Sequence, residues 1–182
     1  MTTNQSNINQ LITACKRGER TAQIKVYESY SKAMYNTSLR IVKNTFDAED
    51  IMQESFITAF SKLNDLKDNQ TFGAWLKRIV INNSLTFLRQ QQIEVELEQV
   101  LYKIEDESSV ENLEDYSEVK FQQLSQAMDT LKDNYQLALN LHYIEGYNYD
   151  EMCDILNISY ANCRTLVSRA KSSLKKKLAV HI

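Results

Sequence analysis

The sequence contains no proline and only three glycines, Gly18, Gly73 and Gly146, in 182 residues. The usual punctuation of strands and tight turns is therefore missing, and no stretch keeps the strict apolar–polar alternation of a half-buried strand. Apolar residues recur instead at three- and four-residue steps, so an all-α chain is expected. Cys15, Cys153 and Cys163 form an odd set without a C-x-x-C pair, and His142 and His181 stand away from them at no zinc-ligand spacing. Buried free thiols are expected, with no metal and no other cofactor. The chain also lacks a nucleophile–base pair and a phosphate-cradling glycine loop, which argues against an enzyme. Its first residues are polar, with no basic start leading into an apolar core. Neither a signal peptide nor membrane insertion is expected, and the chain reads as cytoplasmic.

Positive charge is scarce as well: 21 lysines and arginines stand against 24 aspartates and glutamates, a net charge of −3. The acid is concentrated in one place. Between Glu94 and Glu118 ten acidic residues accompany a single base, Lys103, so the rest of the chain is basic on balance. Such a run self-repels and buries little, which is how a solvated linker behaves. The expected organisation is two small helical domains, residues 9–92 and 119–182, joined by an acidic linker over residues 93–118.

The clearest motif lies near the end of the chain. Asn148 can cap a short helix, with Glu151 three residues on completing a capping box and Met152, Ile155 and Leu156 facing inward. Asn157 tolerates the left-handed conformation and can make the sharp turn that ends the helix. Ile158 would plug the angle and Ser159 cap the next helix, whose inner face is Cys163, Val167, Ala170 and Leu174; a small Cys153 would let the two helices approach. The outer face carries Asn162, Arg164, Thr165, Ser168, Arg169, Lys171 and Ser172, followed by Lys175, Lys176 and Lys177. Such a helix-turn-helix lays its second helix in the major groove, where arginine can bridge guanine and lysines and hydroxyls hold phosphates.

At this point the residues resemble a known family. The run from Leu131-Lys132-Asp133 to Leu178, centred on Gly146-Tyr147-Asn148-Tyr149-Asp150-Glu151-Met152, is similar to the promoter-reading C-terminal domain of bacterial RNA polymerase sigma factors. Asp47-Ala48-Glu49-Asp50-Ile51-Met52-Gln53-Glu54-Ser55-Phe56 resembles the polymerase-binding helix of that family, and Phe72-Gly73-Ala74-Trp75-Leu76-Lys77-Arg78-Ile79-Val80-Ile81-Asn82 its promoter-melting segment. A layout of two domains alone resembles the extracytoplasmic-function group of the sigma-70 family.

The resemblance implies an all-α fold whose C-terminal domain is a four-helix, winged-helix-like helix-turn-helix domain reading the minus-35 element through Asn162, Arg164, Thr165, Ser168, Arg169 and Lys171. It implies that Asp47, Asp50, Gln53 and Glu54 dock on the clamp coiled coil of core RNA polymerase. An apolar stripe of Ile51, Met52, Phe56, Ala59, Phe60 and Leu63 would lie behind them, and Asp47 would cap their helix. It assigns the minus-ten element to Lys77, Arg78, Asn82, Asn83 and Arg89, with Trp75 packed inside and the preceding loop, residues 64–71, holding a flipped base. Partners implied are core polymerase, through its clamp and flap, and promoter DNA; an anti-sigma factor or another recruiting protein is admitted as a further one. The acidic linker would thread the polymerase.

Three positions depart from the family pattern: Gln90-Gln91-Gln92 replaces arginines, Leu166 a basic residue and Lys132 a proline, which reduces the expected grip on DNA. Leu166 is expected to be exposed. Two rival readings are a stand-alone helix-turn-helix repressor, which would need a dimerisation surface, and a sigma-like adaptor that keeps the clamp helix without initiating transcription.

Overall fold

The structure, a computed structural model, describes residues 2–98 and 116–180. Eight α-helices occur among them and no strand: α1 (Thr2–Lys16), α2 (Arg20–Val42), α3 (Thr45–Ser61), α4 (Phe72–Glu98), α5 (Tyr116–Asp129), α6 (Asp133–Leu139), α7 (Tyr149–Leu156) and α8 (Tyr160–Val180). They fall into two compact units, residues 1–103 and 104–182. Most of the expected linker, residues 99–115, lies outside the described residues. Its flanks are helical instead of extended: α4 runs past Gln92 to Glu98, and α5 begins at Tyr116. Glutamine, glutamate and leucine are good helix formers, and no proline or glycine stands there to stop the helix.

In the first unit, α2, α3 and α4 pack on one another with α1 against α2. Their shared core holds Ile12, Val26, Met34, Met52, Phe56, Ala59, Phe72, Leu76 and Val80, with Tyr27, Tyr30 and Trp75 packed around it. Tyr27 leans on Phe56 at 4.8 Å between ring centroids and Phe72 lies 6.1 Å from Trp75, so the single tryptophan packs, as expected. Each fully buried large apolar side chain stabilises by about 1.5–3 kcal/mol. Gly73 is where α4 comes closest to α2, because a Cβ there would meet the Tyr30 ring at 2.9 Å. Between α3 and α4 the chain makes two 3-10 turns, Leu63–Asp65 and Asn69–Thr71. Helix α1 braces them: Lys16 Nζ donates to the Leu66 carbonyl at 2.8 Å, and Asn69 Nδ2 donates to Asn9 Oδ1 at 2.9 Å and Thr13 Oγ1 at 3.1 Å.

The second unit is built from α5 to α8. Gln136 is buried, and its side-chain amide Nε2 donates to the carbonyls of Asp129 and Leu131 at 3.1 and 2.9 Å, satisfying groups that the end of α5 leaves open. Lys132 adopts φ −63°, ψ 144°, a conformation that suits the proline common in the family, so this departure costs the backbone nothing. After α6 the helix widens into one π-turn, Asn140–Ile144. His142 Nδ1 then donates to the Tyr147 carbonyl at 2.8 Å while its ring stacks on Tyr149 at 4.9 Å.

Helix α7 starts on the expected capping box. Asn148 Oδ1 accepts from Glu151 N and Glu151 Oε2 from Asn148 N, both at 2.9 Å. It ends on Asn157 at φ 55°, ψ 49°, and the Cys153 carbonyl accepts from the N–H groups of Asn157 and, at 3.2 Å, Ile158. Asn157→Ala should lower stability by about 1 kcal/mol, because alanine pays the left-handed penalty, whereas Asn157→Gly should be neutral or better. Urea unfolding of the two variants checks the order.

Candidate nucleic-acid and polymerase interfaces

Helix α8 buries Cys163, Val167 and Ala170 and packs Leu174 against Leu131 and Leu139. These four residues, at three- and four-residue steps along one face, fix its rotation. Asn162, Arg164, Thr165, Ser168, Arg169, Lys171 and Ser172 are consequently all exposed, as are Lys175, Lys176 and Lys177. Its sequence holds six cations and no acid. At its start, Asn162 N–H donates to Ser159 Oγ at 3.4 Å, a loose cap that leaves the other first-turn N–H groups directed outward, where an anion is favoured. Leu166 is half-buried instead of exposed: it lies one position before Val167, close enough to the inner face to be partly covered.

Helix α3 has the opposite character. It carries Asp47, Glu49, Asp50 and Glu54 and no cation. Ile51, Met52, Phe56 and Ala59 are buried, and Asp50, Gln53 and Glu54 are exposed on the other side. The cap is not Asp47 but Asn44, whose Oδ1 accepts from Phe46 N at 2.9 Å and Asp47 N at 3.1 Å. The helix therefore begins earlier than expected, and Asp47 sits half-buried in its first turn. There its carboxylate favours the positive end of the helix dipole.

On α4, Asn82 and Arg89 are exposed, whereas Lys77, Arg78 and Asn83 are only half-exposed, because this helix packs on both α2 and α3. Asn83 is turned inward: its Nδ2 donates to Ser55 Oγ at 2.9 Å, and Ser55 itself donates to the Ile51 carbonyl. The expectation that Asn83 stands on the open edge is corrected accordingly.

Residues 26–93 match the sigma-70 region 2 family and residues 121–174 the sigma-70 region 4 family. The chain is 30% identical to the ECF RNA polymerase sigma factor SigM of Bacillus subtilis, with 83% of this chain and 91% of that protein covered. It is 26% identical to SigW of the same organism, with 94% and 96% covered. The chain belongs to the extracytoplasmic-function sigma factors. Its fold is shared with the sigma factor RpoE of Bartonella quintana in complex with the anti-sigma factor NepR, at a TM-score of 0.65 and 21% identity over 86% of this chain and 96% of that one. It is also shared with CnrH in complex with the cytosolic domain of CnrY, at 0.58 and 17% over 95% and 97%.

The sigma factor is thus a transcription initiation factor that directs RNA polymerase to promoters. Its region 2 match spans most of α2, all of α3 and most of α4; its region 4 match spans most of α5, all of α6 and α7 and most of α8. Two residues escape a reading based on polar motifs. Phe46 is 80% exposed and Ile57 69% exposed, and at eleven residues apart on α3 they share the outward stripe of Asp50 and Gln53. The signal was present in the sequence as an apolar pair out of phase with the buried stripe. No helix among the described residues is long and apolar enough to cross a membrane.

Since Asn83 ties α4 to the buried Ser55 of α3, Asn83→Ala should cost about 1–2 kcal/mol of stability. Asn82→Ala, on the exposed side, should leave stability within about 0.5 kcal/mol. Thermal unfolding of the two variants separates a structural amide from a surface one.

Proposed function

We propose that the two units divide promoter recognition, with α8 reading the minus-35 element and α3 and α4 serving polymerase and the minus-ten element. The observation that carries this is the charge contrast between two helices of one chain: α8 exposes six cations and no acid, α3 exposes acid and no cation. The first suits a phosphate-lined groove and the second a basic protein surface.

On α8, Arg164 and Asn162 lie in the N-terminal half that a helix-turn-helix presents to base edges. Thr165, Ser168, Arg169 and Lys171 follow along the same side, where hydroxyls and cations fix register on the backbone. On α3, Asp47, Asp50, Gln53 and Glu54 dock on the clamp coiled coil of core polymerase. Phe46 and Ile57 supply apolar anchors at the two ends of that stripe, where burial contributes more than exposed charge does. On α4, Lys77, Arg78, Asn82 and Arg89 face the minus-ten strand, and the braced 3-10 turns before it offer the place for an unstacked base. The domain limits, 9–92 and 119–182, and a contact of the second unit with the polymerase flap belong to the same proposal. So do a cytoplasmic location and a role without catalysis. That the RpoE relative was solved with an anti-sigma factor supports a protein partner controlling this chain too.

In vitro transcription with core polymerase on a genomic fragment library should yield discrete start sites; a complete lack of initiation would favour the adaptor reading. Arg164→Ala should lose about 1–3 kcal/mol on the cognate upstream element and little on a scrambled one, whereas Lys176→Ala should weaken both alike. Equal losses for Arg164→Ala on the two elements would reject its base-reading role. Phe46→Ala combined with Ile57→Ala should weaken core association about tenfold without lowering the melting temperature, as expected for exposed interface anchors. Fluorescence titration against core enzyme measures it.

A further inference from the structure

The first residue of α8 belongs neither to the buried stripe of that helix nor to the residues assigned to DNA. Tyr160 is 50% exposed, yet its ring is held: it meets the Tyr149 ring at 5.9 Å between centroids and 82° between planes. Tyr149, the first residue of α7, lies in turn nearly flat on His142, at 4.9 Å and 13°. His142 Nδ1 donates to the Tyr147 carbonyl at 2.8 Å. Three rings in series thus run from the π-turn Asn140–Ile144 to the start of the reading helix. Stacked and edge-to-face contacts of this kind use the rings alone, which leaves the Tyr160 hydroxyl to a partner of another kind.

We propose that Tyr160 is a further DNA-contacting residue, whose hydroxyl donates to a phosphate oxygen of the backbone strand that α7 crosses, with Tyr149 and His142 as the residues that position it. Phase and place both point to a phosphate and not to a base. At about 100° per residue, Tyr160 lies about 20° from the buried Val167 and about 140° from the exposed Thr165, so it stands at the border of the outer face. A helix lying in a major groove turns its outer face to base edges and its borders to the walls of phosphates. This border is the one that meets α7, through the Tyr149 contact, and the first helix of such a motif is the one that crosses the backbone. Lys171 and Lys175, eleven and fifteen residues on, are exposed along the same border and continue the line of phosphate partners.

The ring is in place before DNA arrives, and that gives the contact its strength. A mobile side chain loses rotamer freedom on binding, whereas a ring already fixed against Tyr149 has little left to lose. Arg164 stands four residues on and is an immediate neighbour on the helix surface, so a fixed phosphate contact at Tyr160 sets how deeply Arg164 enters the groove. The inference rests on the proposed minus-35 reading by α8 and adds a neutral contact to it. A hydroxyl displaces no counterion, so this contact raises affinity for every sequence without steepening the salt dependence.

The test measures binding of the holoenzyme to promoter fragments in which single phosphates around the upstream element are replaced by methylphosphonates, which are uncharged and poorer acceptors. One position should weaken the wild-type complex about tenfold and the Tyr160→Phe complex less than about twofold, because the variant has already lost the same hydrogen bond. Tyr160→Phe keeps the ring and should itself bind about tenfold more weakly, alike on cognate and scrambled upstream elements. Its salt slope should match the wild type, whereas Lys176→Ala should lower the slope by about 0.9. Tyr149→Phe should retain the sensitivity to that one phosphate and Tyr149→Leu should lose it, a distinction that a merely structural role would not single out. Wild-type affinity in Tyr160→Phe, or a loss that no single phosphate shares, overturns the proposal. If Arg164→Ala still loses more on the cognate element in that case, the minus-35 reading stands without Tyr160; if Arg164→Ala is also without effect, the reading has failed and the contact with it.

Discussion

In α3 the side chains of Ile51, Met52, Phe56 and Ala59 are almost wholly removed from solvent, and in α8 those of Cys163, Val167 and Ala170 are likewise. A helix can bury only a stripe of its surface, so committing these phases to the core commits the remaining phases to the outside. The magnitudes decide which effect rules: a buried large apolar side chain contributes about 1.5–3 kcal/mol, whereas an exposed charge pair is worth about 0–1 kcal/mol. The rotation of each helix is therefore set from behind. The acids of α3 and the cations of α8 are carried to their faces by residues that are themselves buried in the core.

The second unit adds a constraint at the turn. With α7 only eight residues long, one turn of misplacement would swing α8 away from any fixed target. The segment is held at both ends instead. The reciprocal bonds of Asn148 and Glu151 close its start, and the left-handed Asn157 with two N–H groups on the Cys153 carbonyl closes its end. Helices α7 and α8 pack on each other, with the small Cys163 buried on α8 and the small Cys153 half-buried on α7. A reading helix needs such rigid support, since loss of about an ångström in placement forfeits directional hydrogen bonds.

What could be read from the sequence was local chemistry with one dominant answer. Asn148 with Glu151, Asn157 before Ile158, and the inner stripe of α8 all appear in the structure where residue type and spacing put them. What could not be read depended on competition or on tertiary partners. Asn44 and Asp47 are both competent caps, and the helix begins at the earlier one because Asn44 can serve two N–H groups there. Asn83 looked like a surface amide because periodicity says nothing of Ser55, a buried hydroxyl on another helix that takes its hydrogen bond. The π-turn at Asn140–Ile144 leaves no residue-type signature, yet it re-aims the chain so that His142 reaches the Tyr147 carbonyl and stacks on Tyr149.

The distribution of charge explains how a chain of net charge −3 can serve at DNA. Affinity for a duplex grows with the number of phosphates neutralised, each adding about 0.9 to the salt dependence, and on the proposed reading the local cations of α8 and the edge of α4 make that contribution. Half of the six cations on α8 are Lys175, Lys176 and Lys177 at its C-terminal end, where they also offset the negative end of the helix dipole. Leu166, half-buried where a base is common in the family, removes one further contact without presenting an apolar side chain to the groove. A reader so lightly charged gains specificity from geometry and leaves affinity to its partner. On the proposed docking of α3 by polymerase, the binding of α8 to DNA becomes effectively intramolecular, and high local concentration replaces the missing electrostatic attraction.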